Sequence, residues 1–174
     1  ASTSLAGISY SSPILMFPEG QSSLETTVNV YEPSDDDSGI AIERAHWIVD
    51  TQPGALIVGQ IYVYGNSSDR AFVGRTVEGA DVPVTVAISV PPGAVEITFE
   101  NGELGGRFRQ MAHTIYDTAP VVPGSATRQI VVRFALPYNG TSAEFSQSLP
   151  YPAQSLNLLA AELPGMSSEV TGLA

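Results

Sequence analysis

The acidic loop at residues 33–39 is the part of this sequence best suited to binding a metal ion. It reads Pro-Ser-Asp-Asp-Asp-Ser-Gly, so Asp35, Asp36 and Asp37 stand side by side. Hard cations such as calcium prefer several oxygen ligands from one flexible loop. The loop lacks the D-x-[DN]-x-[DN]-G spacing and the closing glutamate of an EF-hand. The sequence therefore leaves two interpretations, a calcium site at the three aspartates or a solvated turn between two strands.

Histidine is the side chain most often used as a general base, and the chain has two, His46 and His113. Serine and aspartate are plentiful, so counting residues leaves a Ser-His-Asp arrangement open. However, the sequence contains no G-x-S-x-G elbow, no H-E-x-x-H pair and no P-loop. We therefore predict that both histidines are structural, that the chain has no enzymatic activity, and that it needs no cofactor other than calcium.

Three aromatic residues on two adjacent predicted strands could form a flat platform for a sugar ring. They are Trp47, Tyr62 and Tyr64. The alternative is that these rings fill the core of a sandwich, where a buried tryptophan is common.

Two sequons, Asn66-Ser67-Ser68 and Asn139-Gly140-Thr141, are candidate glycan acceptors in a host with that machinery. The second also has the composition of a hairpin turn, which by itself explains Asn139 and Gly140.

The charge of the chain excludes two classes of partner. Eighteen acidic residues against seven arginines, with no lysine, give a net charge of −11 and a pI near 4.3. Such a surface repels phosphate backbones and anionic lipid headgroups. We therefore predict protein partners, including other copies of this chain, and no nucleic acid. The absence of a run of about 18 apolar residues argues against membrane insertion within this chain.

Composition also bears on the compartment. The chain has no cysteine, so it contains neither a disulfide framework nor a thiolate metal site. Only 14% of its residues are charged, compared with about 25% in an ordinary globular protein. This low charge, the missing lysine and the many Ser, Thr, Gly and Pro residues favour an extracytoplasmic protein, secreted or at the cell surface.

Short apolar runs separated by Pro-Gly and Asn-Gly pairs recur about every 8–12 residues, which is typical of a sandwich or barrel. The predicted fold is an all-β antiparallel β-sandwich of about ten short strands, immunoglobulin-like or jelly-roll-like. One or two helical turns at residues 156–163 are the alternative for that segment. The run at residues 55–64 is apolar or aromatic on both faces, which predicts either a central strand or a strand with its tyrosines on a contact surface. Strands are predicted near residues 8–10, 14–17, 24–31, 40–50, 55–64, 70–73, 82–90, 95–99, 129–136, 142–149, 155–161 and 169–171.

Asn139-Gly140 is the strongest local hairpin signal, because a two-residue turn with positive φ suits both residue types. A hairpin centred there would join the runs at residues 129–136 and 142–149 and would pair Phe134 with Phe145. The residues that would share the core face are Val132, Phe134, Leu136 and Phe145.

The domain organisation is predicted to separate residues 1–20 from a β-sandwich at residues 21–174. In the first part, an apolar stretch at residues 5–17 is interrupted by Ser11-Ser12-Pro13. Such a segment could add an edge strand to a neighbouring subunit. Alternatively, it forms the first strands of the same sandwich.

Several segments resemble a module found in envelope proteins of the phylum Chloroflexota, some of which are labelled carboxypeptidase regulatory-like. The segments are ALIVGQIYVYGNSSDR at 55–70, VEITFENGELGGR at 95–107, DTAP at 117–120 with PG at 123–124, and LPYNG at 136–140 with LPYP at 149–152. The resemblance extends over about residues 10–170. It implies an all-β extracytoplasmic module, often joined to further domains or a membrane anchor, and it assigns no catalytic or cofactor-binding residues.

Taken together, these features predict a non-catalytic, secreted or cell-surface structural module. We expect it to be a subunit of an envelope assembly, a filament or another larger complex. The alternative is a carbohydrate-binding module that uses the three aromatic residues named above.

Overall fold

The computed structural model describes residues 1–17, 19–20, 22–161, 167, 169 and 171. These residues form twelve β-strands and no helix. The strands are β1 (Ser2–Leu5), β2 (Ile8–Ser11), β3 (Pro33–Ser34), β4 (Ile40–Gln52), β5 (Ala55–Asn66), β6 (Ala71–Phe72), β7 (Ala87–Ser89), β8 (Val95–Phe99), β9 (Phe108–Met111), β10 (Thr114–Asp117), β11 (Gly124–Pro137) and β12 (Leu156–Ala160).

Two sheets enclose one apolar core. The larger sheet has the order β12-β4-β5-β11-β8, and the smaller has the order β7-β10-β9. Apart from the parallel pair of β12 with β4, their neighbouring strands are antiparallel. Buried side chains of both sheets, such as Val132 from the larger and Ile115 from the smaller, belong to the same core cluster. The predicted all-β, sandwich-like class is confirmed.

Strand β5 is the centre of the larger sheet, as its two apolar faces predict. It pairs with β4 along one edge and with β11 along the other. Because side chains alternate between faces of a strand, Val58, Gln60, Tyr62 and Tyr64 all point into the core, where each is buried. The residues between them, including Gly59, lie on the opposite side of the sheet, which we call the outer face.

The hairpin predicted at Asn139-Gly140 is wrong. Strand β11 is hydrogen-bonded on both edges, since Phe134 pairs with Val58 of β5 and Val132 pairs with Phe99 of β8. No edge is left for residues 142–149, which form no strand. Long-range pairing has therefore overridden the local turn signal. The predicted core face is nevertheless confirmed: the residues buried in the core or packed against it are Val132, Phe134, Leu136 and Phe145.

Gln147 anchors the irregular segment at residues 138–155 to the core. Its side-chain amide exchanges hydrogen bonds with Gln60, at 2.8 and 3.1 Å, and donates to the Tyr62 hydroxyl at 3.0 Å. It also donates to the carbonyl of Ser89 at 2.6 Å. These bonds satisfy polar groups that the larger sheet places in its apolar interior.

We expect Gln147→Ala to lower the free energy of unfolding by about 1–3 kcal/mol, because it leaves the amide of Gln60 buried without its partner. Urea unfolding followed by the fluorescence of Trp47 measures this loss. Gln154→Ala is the matched control, since Gln154 lies exposed in the same segment and should change stability little. Equal stability of the two variants would contradict the prediction.

Several other strand predictions differ from the structure; the run predicted at 82–90, for example, is a strand only at Ala87–Ser89. Residues 14–17 and 24–31 form no strand, although the first run is apolar throughout and the second alternates, and most of their side chains remain exposed. Strands β9 and β10 were not predicted, because their runs are short and mixed in polarity. The strand predicted at residues 155–161 is confirmed, and its helical alternative is wrong, because β12 adds in parallel to β4. The run predicted at 169–171 includes Val170, which lies outside the described residues.

The N-terminal hairpin of β1 and β2 rests on the sandwich through a second, smaller apolar cluster. Ile8 and Tyr10 are buried there against Ala71 of β6. The Tyr10 hydroxyl donates to the carbonyl of Tyr31 at 3.0 Å. The hairpin is thus attached to the body, whereas residues 13–17, which follow it, are exposed.

Candidate functional site

The acidic loop between β3 and β4 does not gather its three aspartates. Asp36 accepts hydrogen bonds at 2.9 Å from the backbone N–H and the hydroxyl of Ser38, and these bonds lower the pKa of Asp36 below its ordinary value. Asp37 instead forms an ion pair with Arg75 at 2.9 Å. In the part of the chain that the structure describes, no group of three acidic or histidine side chains is arranged to hold a metal ion. The geometry of Asp35, Asp36 and Asp37 is thus that of a hydrogen-bonded turn.

The two histidines lie on different sheets. His46 is on the outer face of β4, where its Nδ1 is 3.4 Å from the side-chain nitrogen of Asn157. His113 is exposed in the turn between β9 and β10. Among the described residues, neither imidazole forms a hydrogen bond with a serine hydroxyl or a carboxylate, which nucleophilic catalysis of the Ser-His-Asp type requires.

The three aromatic residues predicted as a sugar platform are in the core. Trp47 is 8% exposed, Tyr62 1% and Tyr64 0%. They point inwards because they occupy the core face of β4 and β5. The Tyr64 hydroxyl donates to the carbonyl of Ala87 at 3.2 Å, and burial raises the pKa of Tyr64 well above its ordinary value. Buried rings cannot stack on a sugar, so the prediction of a binding platform at these residues is wrong, and the core alternative holds.

The two sequons have opposite environments. Asn66 is buried, and its side-chain nitrogen donates at 2.9 Å to the carbonyls of Arg70 and Val121. A glycan on that nitrogen is incompatible with these bonds, so the prediction of an acceptor at Asn66 is wrong for the folded protein. Asn139 is exposed and accessible.

A polar groove of about 280 Å³ lies beside strands β7 and β10. The Asp37–Arg75 ion pair lies at one end, and Tyr116 and Tyr151 contribute aromatic walls. The only carboxylate in its lining is that of Asp37, which Arg75 already neutralises. The groove can donate and accept hydrogen bonds, but its lining lacks a base next to a nucleophile.

A buried charge cluster closes one end of the sandwich. Asp117 is completely buried and accepts two hydrogen bonds from Arg107, at 2.7 and 2.5 Å. Arg128 approaches the same carboxylate at 3.9 Å and donates to the carbonyl of Pro120. Arg107 is hydrogen-bonded to Asp117, whereas the buried Nε of Arg128 has no hydrogen-bond partner among the described residues and only approaches the same carboxylate.

The most exposed apolar segment is the one that follows the N-terminal hairpin, residues 13–17, which we call the arm. Its exposed fractions reach 97% for Ile14, 85% for Met16 and 62% for Phe17. The arm contains neither helix nor strand. Contiguous exposed apolar side chains are uncommon on monomeric proteins, which makes the arm a candidate interaction site.

The outer face of the larger sheet is a second apolar surface. Ile48 of β4 and Leu159 of β12 are 47% and 58% exposed. Gly59 of β5 lies between Ile48 and Arg133 in register, because it pairs with Ile48 of β4 on one side and with Arg133 of β11 on the other. A side chain built on Gly59 would meet no atom within 4 Å. This open position, which we call the Gly59 notch, is flanked along β5 by the half-buried Ile57 and Ile61.

The outer face also carries the two arginines that have no acidic partner among the described residues. Five of the seven arginines form ion pairs, and the remaining two are Arg44 and Arg133. Both belong to the outer face by their register opposite Val63 and Gly59. The chain as a whole has a net charge of −11, so this face differs from the rest of the surface in carrying two guanidinium groups without an ion pair among the described residues.

Sequence reasoning located the arm but missed the outer face. The signal was present in the run at residues 55–64, where both faces are apolar although only one can face the core of a two-layer fold. Gly59 in the middle of that run was a further signal, because glycine inside a strand often marks a close approach of another group.

Comparisons with known proteins give no family. No family model and no curated protein matches the chain. Its structure is weakly similar to an M1 zinc metallopeptidase from Deinococcus radiodurans, with 14% identity over 56% of this chain and 20% of that chain and a TM-score of 0.32. A two-domain M1 zinc metallopeptidase mutant bound to L-arginine gives 14% identity, 60% and 22% coverage, and a TM-score of 0.33. The chain spans about a fifth of the length of these enzymes, and similarity at this level carries no information on activity.

None of the described residues belongs to a helix long and apolar enough to cross a bilayer.

Proposed function

We propose that this chain is a non-catalytic structural module of an extracytoplasmic assembly, secreted or at the cell surface, and that it binds neighbouring subunits through its arm. The observation that supports this function best is the exposure of four consecutive large apolar side chains at residues 14–17. The low content of charged residues, the absence of lysine and the many Ser, Thr, Gly and Pro residues support the compartment.

The position of the arm supports a role in contact between subunits. Its start is fixed by the hairpin of β1 and β2, which is attached to the body by Ile8 and Tyr10. Downstream, Val28 and Tyr31 pack on the same cluster. The exposed segment is thus presented between two attached points, and this limits the conformational entropy that a partner must remove on binding.

The arm can supply a binding energy suited to reversible association. Burying one large apolar side chain completely contributes about 1.5–3 kcal/mol, while bringing two proteins together costs about 4–15 kcal/mol. The four side chains together are therefore comparable with this cost. We expect assembly to depend on protein concentration and to be strengthened where one subunit makes contacts with two neighbours.

The triple variant Ile14→Ser, Met16→Ser, Phe17→Ser should abolish assembly, because it removes the apolar surface of the arm and touches no core residue. Size-exclusion chromatography with light scattering should give the full chain a concentration-dependent mass above 18.3 kDa and the variant the monomer mass of 18.3 kDa. Electron micrographs of the same samples would show the form of the assembly.

The matched control is Leu24→Ser with Val30→Ser, which removes two exposed apolar side chains outside the arm. This variant should assemble as the unchanged chain does. A full chain that stays monomeric at every concentration, or a triple variant that assembles normally, would contradict the proposed function.

A further inference from the structure

We infer that the arm of one copy docks on the outer face of a second copy, with Phe17 in the Gly59 notch and Glu19 next to Arg133. This inference rests on the function proposed above and names the partner surface. It is supported by the shape of the outer face, by its charge and by the prolines that border the arm.

The shape of the notch fits an apolar side chain. Gly59 leaves open space above the central strand, and the side chains around it come from Ile48, Ile57, Ile61 and Arg133. Three of these four are isoleucines, and the aliphatic stem of arginine can also cover an aromatic ring. The outer face therefore offers Phe17 an open position above the backbone of Gly59, with mainly apolar neighbours.

The charges of the two surfaces are complementary. Glu19 follows Phe17 by two residues and is exposed, and the described residues of the segment 12–30 carry no positive charge. Two extended residues span about 7 Å, which brings a glutamate within reach of the long side chain of Arg133 when Phe17 occupies the notch. Of the acidic residues of the outer face, Glu100 lines the same depression as Arg133 and Ile61, and Asp50 lies two positions along β4 from Ile48.

The prolines bordering the arm favour docking on a face over addition to a sheet edge. Pro13 and Pro18 enclose a run of only four residues, and neither has an N–H to donate to a neighbouring strand. An added strand would therefore be short and incompletely bonded. Docking through side chains has no such requirement, because the exposed side chains of the arm supply the contact.

An arm-to-face contact joins two different surfaces of the same chain. Such a heterologous contact leaves one free arm and one free face on every dimer, so it continues into a ring or an open filament. The expected product is thus a polymer or a closed ring, and not a twofold dimer.

Gly59→Phe tests the notch directly. A Cβ at position 59 meets no atom within 4 Å and the position faces outward, so the fold should be retained, and thermal unfolding of the variant checks this. We expect its mass in light scattering to fall to that of the monomer, 18.3 kDa. Gln110→Phe is the matched control: it adds the same ring at an exposed position of β9 in the smaller sheet and should assemble normally.

Mixing two variants tests the pairing of surfaces. The triple arm variant keeps an intact outer face, and Gly59→Phe keeps an intact arm. Each should be monomeric alone, and the mixture should give a complex of one copy of each that cannot grow further. In parallel, Glu19→Arg and Arg133→Glu should each weaken assembly, and the double variant should restore it.

The outcomes separate the two proposals. If the arm variant is monomeric but Gly59→Phe assembles normally, the docking surface is wrong while the proposed function stands. If both single variants are monomeric but their mixture gives no complex, the arm does not bind the outer face of another copy, and the inference is overturned. If the unchanged chain is monomeric throughout, both proposals fail.

Discussion

Asp117→Ala should destabilise the protein by about 3–5 kcal/mol, because it leaves partly buried guanidinium groups without their shared carboxylate. Asp117 is completely buried, accepts two hydrogen bonds from Arg107 and also accepts one from the backbone N–H of Ala119 at 3.0 Å. Burial lowers the pKa of Arg128, whereas its attraction to Asp117 raises it. Without that carboxylate, the charge on Arg128 loses its compensation.

Urea unfolding measures this loss, with Trp47, the single tryptophan, as the fluorescent probe. Asp81→Ala is the matched control, because Asp81 forms an ion pair with Arg109 at 2.9 Å at the surface, and exposed pairs contribute little. A loss at Asp117 no larger than that at Asp81 would show that the buried cluster does not stabilise the sandwich.

The partners of Asp117 indicate a structural role for this cluster of charged residues. Asp117 and its two arginines have the residue types of an active site, yet each charged group is used by another within the cluster. The same holds for Asp37 and Arg75, and for Gln147 with the core amide of Gln60. These polar groups are thus engaged in holding loops to the two sheets.

The all-β class was predictable because each long strand alternates apolar and polar residues and ends at a turn signal. Strands β4, β5 and the main part of β11 were located from this pattern, with β5 placed centrally. The pairing of β11 was not predictable from local sequence. Asn139-Gly140 favours a hairpin, but the edges of β11 gain more by pairing with β5 and β8, which lie far away in the chain.

Short and polar elements were the other source of error. Strands β9 and β10 have four residues each, too few for a clear alternation. Conversely, residues 24–31 alternate well but form no strand, which shows that alternation alone does not create a hydrogen-bonding partner. In the candidate site, the arm could be located from its sequence, an apolar run between two prolines. The outer face could not, because only the strand register shows that Arg133, Gly59 and Ile48 lie side by side.

The proposed contact between the arm and the outer face would remove apolar surface of both from water. Each would be a solubility liability if left exposed, because large apolar patches favour association. Joined between copies, the two surfaces cover one another, while the net charge of −11 keeps the remaining surface repulsive. Assembly through a single specific contact is the expected consequence.

Phe108→Ala should lower the free energy of unfolding by about 3–5 kcal/mol, the usual range for deleting a buried aromatic ring. Phe108 is 1% exposed and stacks on Phe99, with ring centroids 3.8 Å apart and planes at 13°. The guanidinium of Arg107 lies 4.9 Å from its ring centroid. Urea unfolding provides the measurement, and Phe108→Leu, which keeps most of the apolar volume, should cost clearly less.

The location of the contact between Phe99 and Phe108 predicts which strand loses stability first in Phe108→Ala. Phe99 belongs to β8, an edge strand of the larger sheet, and Phe108 belongs to β9, an edge strand of the smaller sheet. The ring pair thus closes the sandwich along one side, where β8 has only an irregular pairing with β11 to hold it. Hydrogen exchange in Phe108→Ala should therefore accelerate at the amides of β8 before those of β5. Uniform acceleration in both strands would instead mean that the contact stabilises the core as a whole and that β8 does not depend on it.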